Sequence, residues 1–290
     1  MYHLIAIFTV IVWGATFIST KVLMSAGMTP IEVMFYRFAI AYISILPFTY
    51  KRLFAASLKD EGTMLLIGLS GGSLYFLAEN YALSYTLASN VSLIICTTPI
   101  LTALLDRFFG SHKPLIPYFL IGSTIAFIGI AFVIFNGSII LGLNPIGDIL
   151  TLTAAFLWGI FSLTLKKVQS HYKSLFITRK TFFYSVLSLL PFIFFSPAHT
   201  SFTTLLRPIM IGNLLFLGLL ASTLCFFLWN VAVKSIGPVS ATNYIYLSPI
   251  VTLIVAHYVL DEPITAMAIF GSFFILVGVF LALRKQKSFA

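Results

Sequence analysis

Ten runs of predominantly apolar residues follow one another along this 290-residue chain, separated by short polar or Pro/Gly breaks. Their approximate limits are 3–25, 30–50, 63–84, 88–107, 115–135, 147–168, 176–196, 209–233, 239–259 and 265–284. A helix rising 1.5 Å per residue needs about 20 such residues to cross the hydrocarbon of a bilayer. The runs are continuous and lack period-two alternation, which argues against a closed β-barrel. Charged residues make up 9% of the chain, against about 25% in a soluble domain. With 60% of residues hydrophobic, no polar shell covers such a core. A cytosolic enzyme, a nucleic-acid-binding domain and a secreted disulfide scaffold are excluded on this ground. The expected fold class is an all-α polytopic membrane protein of ten transmembrane helices, with the lipid bilayer as its solvent.

The first run is kept as a span and not as a signal peptide. No Lys or Arg precedes it, and Trp13, Gly14, Thr16 and Ser19 interrupt its core. With the N-terminus in the cytoplasm, 14 of the 17 Lys and Arg residues fall on the inner side, Arg179 and Lys180 among them. Only Lys21, Arg37 and Arg207 lie toward the outside. The bias predicts both termini in the cytoplasm, and it explains the net charge of +9 without nucleic acid. Cys96 and Cys225 lie within apolar runs and read as small buried hydrophobes. No metal-ligand spacing, Walker loop or nucleophile motif occurs, so no catalytic residue, metal site or cofactor is expected.

The chain repeats itself. Trp13-Gly14 with Lys21 recurs as Trp158-Gly159 with Lys166, an offset of 145. Asn80-Tyr81-Ala82-Leu83 matches Asn230-Val231-Ala232-Val233, and Pro99-Ile100-Leu101-Thr102 matches Pro249-Ile250-Val251-Thr252, both at an offset of 150. Gly122 and Gly129 match Gly271 and Gly278 at 149. The units are residues 1–137 and 138–290, each with five spans. Five is odd, so the second unit enters the membrane inverted. Inverted repeats are a recurrent plan for secondary transporters, with the binding site at the midplane and alternating access by rocking. Pro99 and Pro249 are the two prolines inside spans, and each is expected to kink its helix as a hinge or as a packing feature.

Few polar groups lie at membrane depth. Glu79 sits about five residues from the outer end of the third run, roughly 7–8 Å deep. Arg37 lies at comparable depth in the second run, and Lys21 near the outer end of the first. A Glu79–Arg37 or Glu79–Lys21 pair could bind the amine or carboxylate of a zwitterionic solute. Glu79 could instead couple a proton, or the pair could simply staple helices. Asn80, Asn90 and Asn230 can hydrogen-bond a solute or a neighbouring helix. Trp13 and Trp158, in matched runs near mid-membrane, join Trp229 and Tyr244 as candidates to line an aromatic pathway; the alternative is core packing.

These residues carry a resemblance. Trp13-Gly14 with Phe17 and Lys21, Arg37-Phe38 leading to Leu46-Pro47, Ala82-Leu83 to Ser89-Asn90 crossing into Pro99, and Ser248-Pro249 to Asp261-Glu262-Pro263 occur in that order. Together the chain resembles the EamA-type ten-span bacterial members of the drug/metabolite transporter superfamily, over nearly its whole length. The resemblance implies two inverted five-helix repeats in the bacterial cytoplasmic membrane. It also implies transport, usually export, of small metabolites such as amino acids. Its cavity would draw on Trp13, Glu79, Asn80, Asn90, Trp158, Trp229, Asn230 and Tyr244. The chain departs from the pattern after the fourth run, where Gly110-Ser111-His112 replaces the usual acid while Glu262 is kept. Glu79 is also unusual for the pattern. The expected partners are a small-molecule substrate and a proton as candidate coupling ion, with the oligomeric state left open. A facilitative channel or uncoupled carrier is the alternative, although no filter-like ring is visible. An intramembrane enzyme lacks a convergent nucleophile and base.

Overall fold

The computed structural model describes residues 1–85, 88–110, 117–135, 144–195, 200–260 and 264–283, and all regular structure among them is helical. The first half contains α1 (Tyr2–Ser25), α2 (Pro30–Ile45), α3 (Leu58–Gly68), α4 (Leu74–Tyr85), α5 (Ala88–Ile95), α6 (Thr98–Phe109) and α7 (Pro117–Phe135). The second contains α8 (Pro145–Val168), α9 (Ser174–Phe194), the short α10 (Phe202–Leu205), α11 (Pro208–Leu215), α12 (Cys225–Ile236), α13 (Pro238–Thr242), α14 (Ser248–Leu260) and α15 (Ala266–Ala282). Several elements join end to end. A π-helical stretch at Leu69–Ser73 links α3 to α4, and another at Phe216–Leu224 links α11 to α12. A 3₁₀ stretch at Asn243–Leu247 links α13 to α14.

Among the described residues, five helical runs are long and apolar enough to cross a membrane: Tyr2–Ser25, Pro30–Phe48, Pro145–Val168, Pro208–Ile236 and Pro238–Val259. Pro117–Phe132 and Ala266–Ala282 are shorter apolar helices.

Local sequence sets the helix starts. Thr29 and Glu32 close a reciprocal capping box at α2, with Pro30 in the first turn. Asn144 caps α8 by accepting from the N–H groups of Ile146 and Gly147, and Ser57 caps α3 by accepting from that of Asp60. Gly237 ends α12 at φ +83°, a backbone conformation that suits glycine, and the chain turns there into α13. Pro99 and Pro249 are each the second residue of a helix, α6 and α14. α6 follows the break at Cys96–Thr97, and α14 follows the 3₁₀ stretch. Pro99 and Pro249, expected to kink a span from inside, stand instead at helix starts after a break, while Pro191, expected near a span end, lies inside α9.

Packing between the halves is reciprocal. Gly14 of α1 abuts Ser248 and Val251 of α14, and Gly159 of α8 abuts Thr102 and Leu105 of α6. Thr252 also donates to the Gly14 carbonyl at 2.9 Å. Gly68 lies against the carbonyl of Thr181 and the side chain of Tyr184, while Gly218 lies against the carbonyl of Arg37 and the side chain of Ile40. Adding 150 to Gly68 gives Gly218, and adding 144 to Arg37 and Ile40 gives Thr181 and Tyr184. α7 and α15 pack antiparallel, Gly122 beside Gly278 and Gly129 beside Gly271. A Cβ at Gly122, Gly129 or Gly278 would collide with opposing backbone, so these glycines permit the close approach.

Counting Arg179 and Lys180 as ordinary inner-surface charges proves incomplete. Both are 2% exposed. Arg179 donates from its two terminal nitrogens to the carbonyls of Thr49, Arg52 and Leu53, at 3.0, 2.7 and 2.7 Å. Lys180 pairs with Glu61, which also accepts from the Tyr184 hydroxyl. The segment after α2 leaves its carbonyls facing inward, and a guanidinium fork satisfies several of them at once.

Candidate functional site

α1, α2, α4, α5, α6 and α8, together with the stretch leading into α14, enclose a cavity of about 50 Å³ at the heart of the bundle. The interruptions before α6 and α14 bring Thr98 and Ser248 to its wall, at matched repeat positions. Trp13 and Trp158, also matched, meet edge-on across it with ring centroids 5.2 Å apart and planes at 89°. Tyr75 packs on Trp158 at 4.9 Å, and Phe226 and Trp229 support the two indoles from behind at 5.0 to 6.0 Å. Edge-on and tilted arrangements suit the ring quadrupoles, so the wall is a stiff aromatic cage. Trp13 Nε1 donates to the Ala221 carbonyl at 2.9 Å. Trp158 Nε1 and Trp229 Nε1 are buried without a hydrogen-bond partner among the described residues.

Two charged side chains complete the lining. Glu79 accepts from the Tyr75 hydroxyl at 2.8 Å, one helical turn earlier on α4. Arg37 Nε donates to Ser222 Oγ at 2.6 Å, and the guanidinium carbon stands 4.4 Å from the Phe76 ring centroid. Among the described residues, neither Arg37 nor Lys21 lies within ion-pairing distance of Glu79. The cavity therefore presents a base from α2 and an acid from the neighbouring α4, each held by its own hydrogen bond. Such a site can orient a small polar or zwitterionic molecule without reacting with it. No group of three or more His, Cys, Asp or Glu side chains gathers as a metal site among the described residues.

A family model described as the EamA-like transporter family matches residues 1–135 and again 145–284. The chain belongs to the EamA-like transporter family. An uncharacterized transporter of Archaeoglobus fulgidus is 28% identical, over 98% of each chain. A probable amino-acid metabolite efflux pump of Escherichia coli K12 is 25% identical, over 98% of this chain and 96% of its own. A probable terminal-alkyne amino-acid exporter of Streptantibioticus cattleyicolor is 26% identical, over 78% of this chain and 74% of its own. One crystal structure shares the fold with a TM-score of 0.75 at 16% identity, covering 97% of each chain.

Within this EamA-like chain the sequence-predicted residues do not all share one place. Trp13, Arg37, Glu79 and Trp158 line the cavity, and Trp229 backs it. Asn80 and Asn230 instead tie helices together: Asn80 Nδ2 donates to the Pro30 carbonyl at 3.5 Å, and Asn230 Nδ2 to Thr178 Oγ1 at 2.8 Å. The Tyr244 hydroxyl lies 2.6 Å from His3 Nδ1. Lys21 borders a separate open groove with Ile18, Val22, Ser25, Ala26 and Ile209. The side chain of Asn90, and all of His112, Asp261, Glu262 and Pro263, lie outside the described residues.

Among the residues of the site not read from the sequence are Thr98, Phe76, Phe226 and Ser222. The two phenylalanines are lost among 30. Ser222 was findable, because it occupies the position that matches Gly72 at an offset of 150.

Proposed function

We propose that this chain is a secondary transporter that exports small polar metabolites such as amino acids by alternating access. It does so as ten spans in two inverted five-helix repeats, in the bacterial cytoplasmic membrane with both termini inside. One observation carries the reading. Matched residues of the two halves, Trp13 with Trp158 and Thr98 with Ser248, converge on one enclosed cavity that also holds Arg37 and Glu79. A cavity to which both halves contribute is what rocking of two halves about a central site requires. The efflux-pump and exporter descriptions of two relatives support the substrate class and direction. At about 50 Å³ the cavity is far smaller than the several hundred Å³ of a ligand pocket. The cavity must therefore widen to load a solute. Purified protein in liposomes tests the reading with a panel of amino acids, with and without a proton gradient. Flux above that of empty liposomes is expected for part of the panel, and its absence across the panel overturns the proposal. Glu79 is the proposed coupling acid. Glu79→Gln is expected to flatten the pH dependence of flux, and an unchanged profile removes it from coupling.

A further inference from the structure

Arg37 has more hydrogen-bonding capacity than the protein uses. A guanidinium offers five N–H donors. Only Nε has a partner, Ser222, and Nη2 is buried without one among the described residues. The side chain is 3% exposed and lines the central cavity, with its flat face held over Phe76. Glu79 lines the same cavity and interacts with Arg37 through space, but no hydrogen bond or close ion pair joins them and one Glu79 oxygen is engaged by Tyr75, so the guanidinium N–H groups are left over. A charge taken out of water in this way calls for an opposite charge with hydrogen-bonding oxygens.

The repeat shows that helix packing does not require this cation. The crossing that Gly218 makes with the Arg37 carbonyl is made in the other half by Gly68 with the Thr181 carbonyl. Thr181 simply turns its hydroxyl back to the Ile177 carbonyl at 3.0 Å. A threonine suffices on one side, so the guanidinium on the other answers a different need. Its rigid, pre-oriented fork matches the two oxygens of a carboxylate better than a point charge does.

We propose that Arg37 is the anchor for a carboxylate of the transported solute, and thereby the residue that rejects solutes lacking one. This rests on the reading that the cavity carries the solute. It adds a defined group on the solute and a defined donor for it.

Trp13 and Trp158 line the cavity and Trp229, the third tryptophan of the chain, packs against both, so intrinsic fluorescence reports binding without any transport step. The full-length protein in detergent would be titrated with apolar amino acids, each beside its decarboxylated amine and its deaminated acid. For leucine these are isopentylamine and 4-methylpentanoate. Wild type is expected to respond to carboxylate-bearing probes at least tenfold more tightly than to the amines. Arg37→Gln should remove that preference, and Arg37→Lys should keep part of it. Should Arg37→Gln not fold, the Lys variant decides by a weakened response to the acids with the amines unchanged. Equal response to acids and amines, a preference retained in Arg37→Gln, or no response to any carboxylate probe overturns the proposal. A carboxylate preference that depends on Arg37, without flux in liposomes, keeps the anchor and removes the transport reading instead.

Discussion

Glu61 carries three hydrogen bonds on two oxygens. Lys180 and the Tyr184 hydroxyl donate to one, and the Ala55 N–H donates to the other at 2.6 Å. It precedes the third apolar run. Burial pushes its carboxyl up, but the bonds from Lys180, Tyr184 and Ala55 outweigh that and leave it below its ordinary value of 4.5. A carboxylate depressed in the fold contributes stability that is complete above the unfolded value and is lost as pH falls through the folded one. The thermal midpoint of the detergent-purified protein is therefore expected to drop as pH falls below about 4.5. Glu61→Gln should start lower at neutral pH and show a shallower acid decline, and parallel curves for the two proteins would remove Glu61 as the cause. Sequence reading found Arg37 and Glu79 because a charge deep in an apolar run stands out. It passed over Arg179 and Lys180, which lie only three and four residues inside the seventh run and so read as topology markers. The carbonyls and carboxylate that hold them come from residues 49–61, more than a hundred positions away, and no local pattern reports such a partner.

At the scale of the helix, glycines decide where backbones touch. Gly278 meets the backbone of Gly122 and Ala126 so closely that even a methyl group must push α7 and α15 apart. Gly278→Ala is expected to destabilise the protein by about 1–3 kcal/mol, the usual cost of overpacking. Gly212 has open space around its missing side chain. Gly212→Ala is expected to be neutral or to gain up to about 1 kcal/mol from helix propensity. Thermal midpoints in one detergent compare the two, and equal shifts would show that the close approach is not what Gly278 provides. The spacing of seven made this contact legible, because it puts two glycines on one helix face. The π-helical stretches were not legible. Each lies inside a continuous apolar run, and the Gly71 and Gly72 within the first fit against Phe161 and Ser185, partners that only the assembled bundle supplies.

At the scale of the whole molecule, symmetry and charge make one joint claim. α7 and α15 close their respective halves and run antiparallel, so the chain leaves them at opposite ends of the bundle. Were each half an even number of spans in one orientation, these two helices would run parallel, and Gly122 would face Gly271 instead of Gly278. The Lys and Arg bias predicts the chain beyond α15 in the cytoplasm, with 14 of 17 basic residues on that side. A reporter placed between the halves is then expected on the outer side. A reporter pair tests this directly. Alkaline phosphatase fused after residue 140 is expected to be active and a fluorescent protein there dark, with the opposite result after residue 290. Activity of the same reporter at both positions would break the inverted repeat, and a swapped pattern would invert the orientation while leaving the repeat intact. The two failures are separable because the first depends on the helix count in each half, whereas the second depends only on where the basic residues lie.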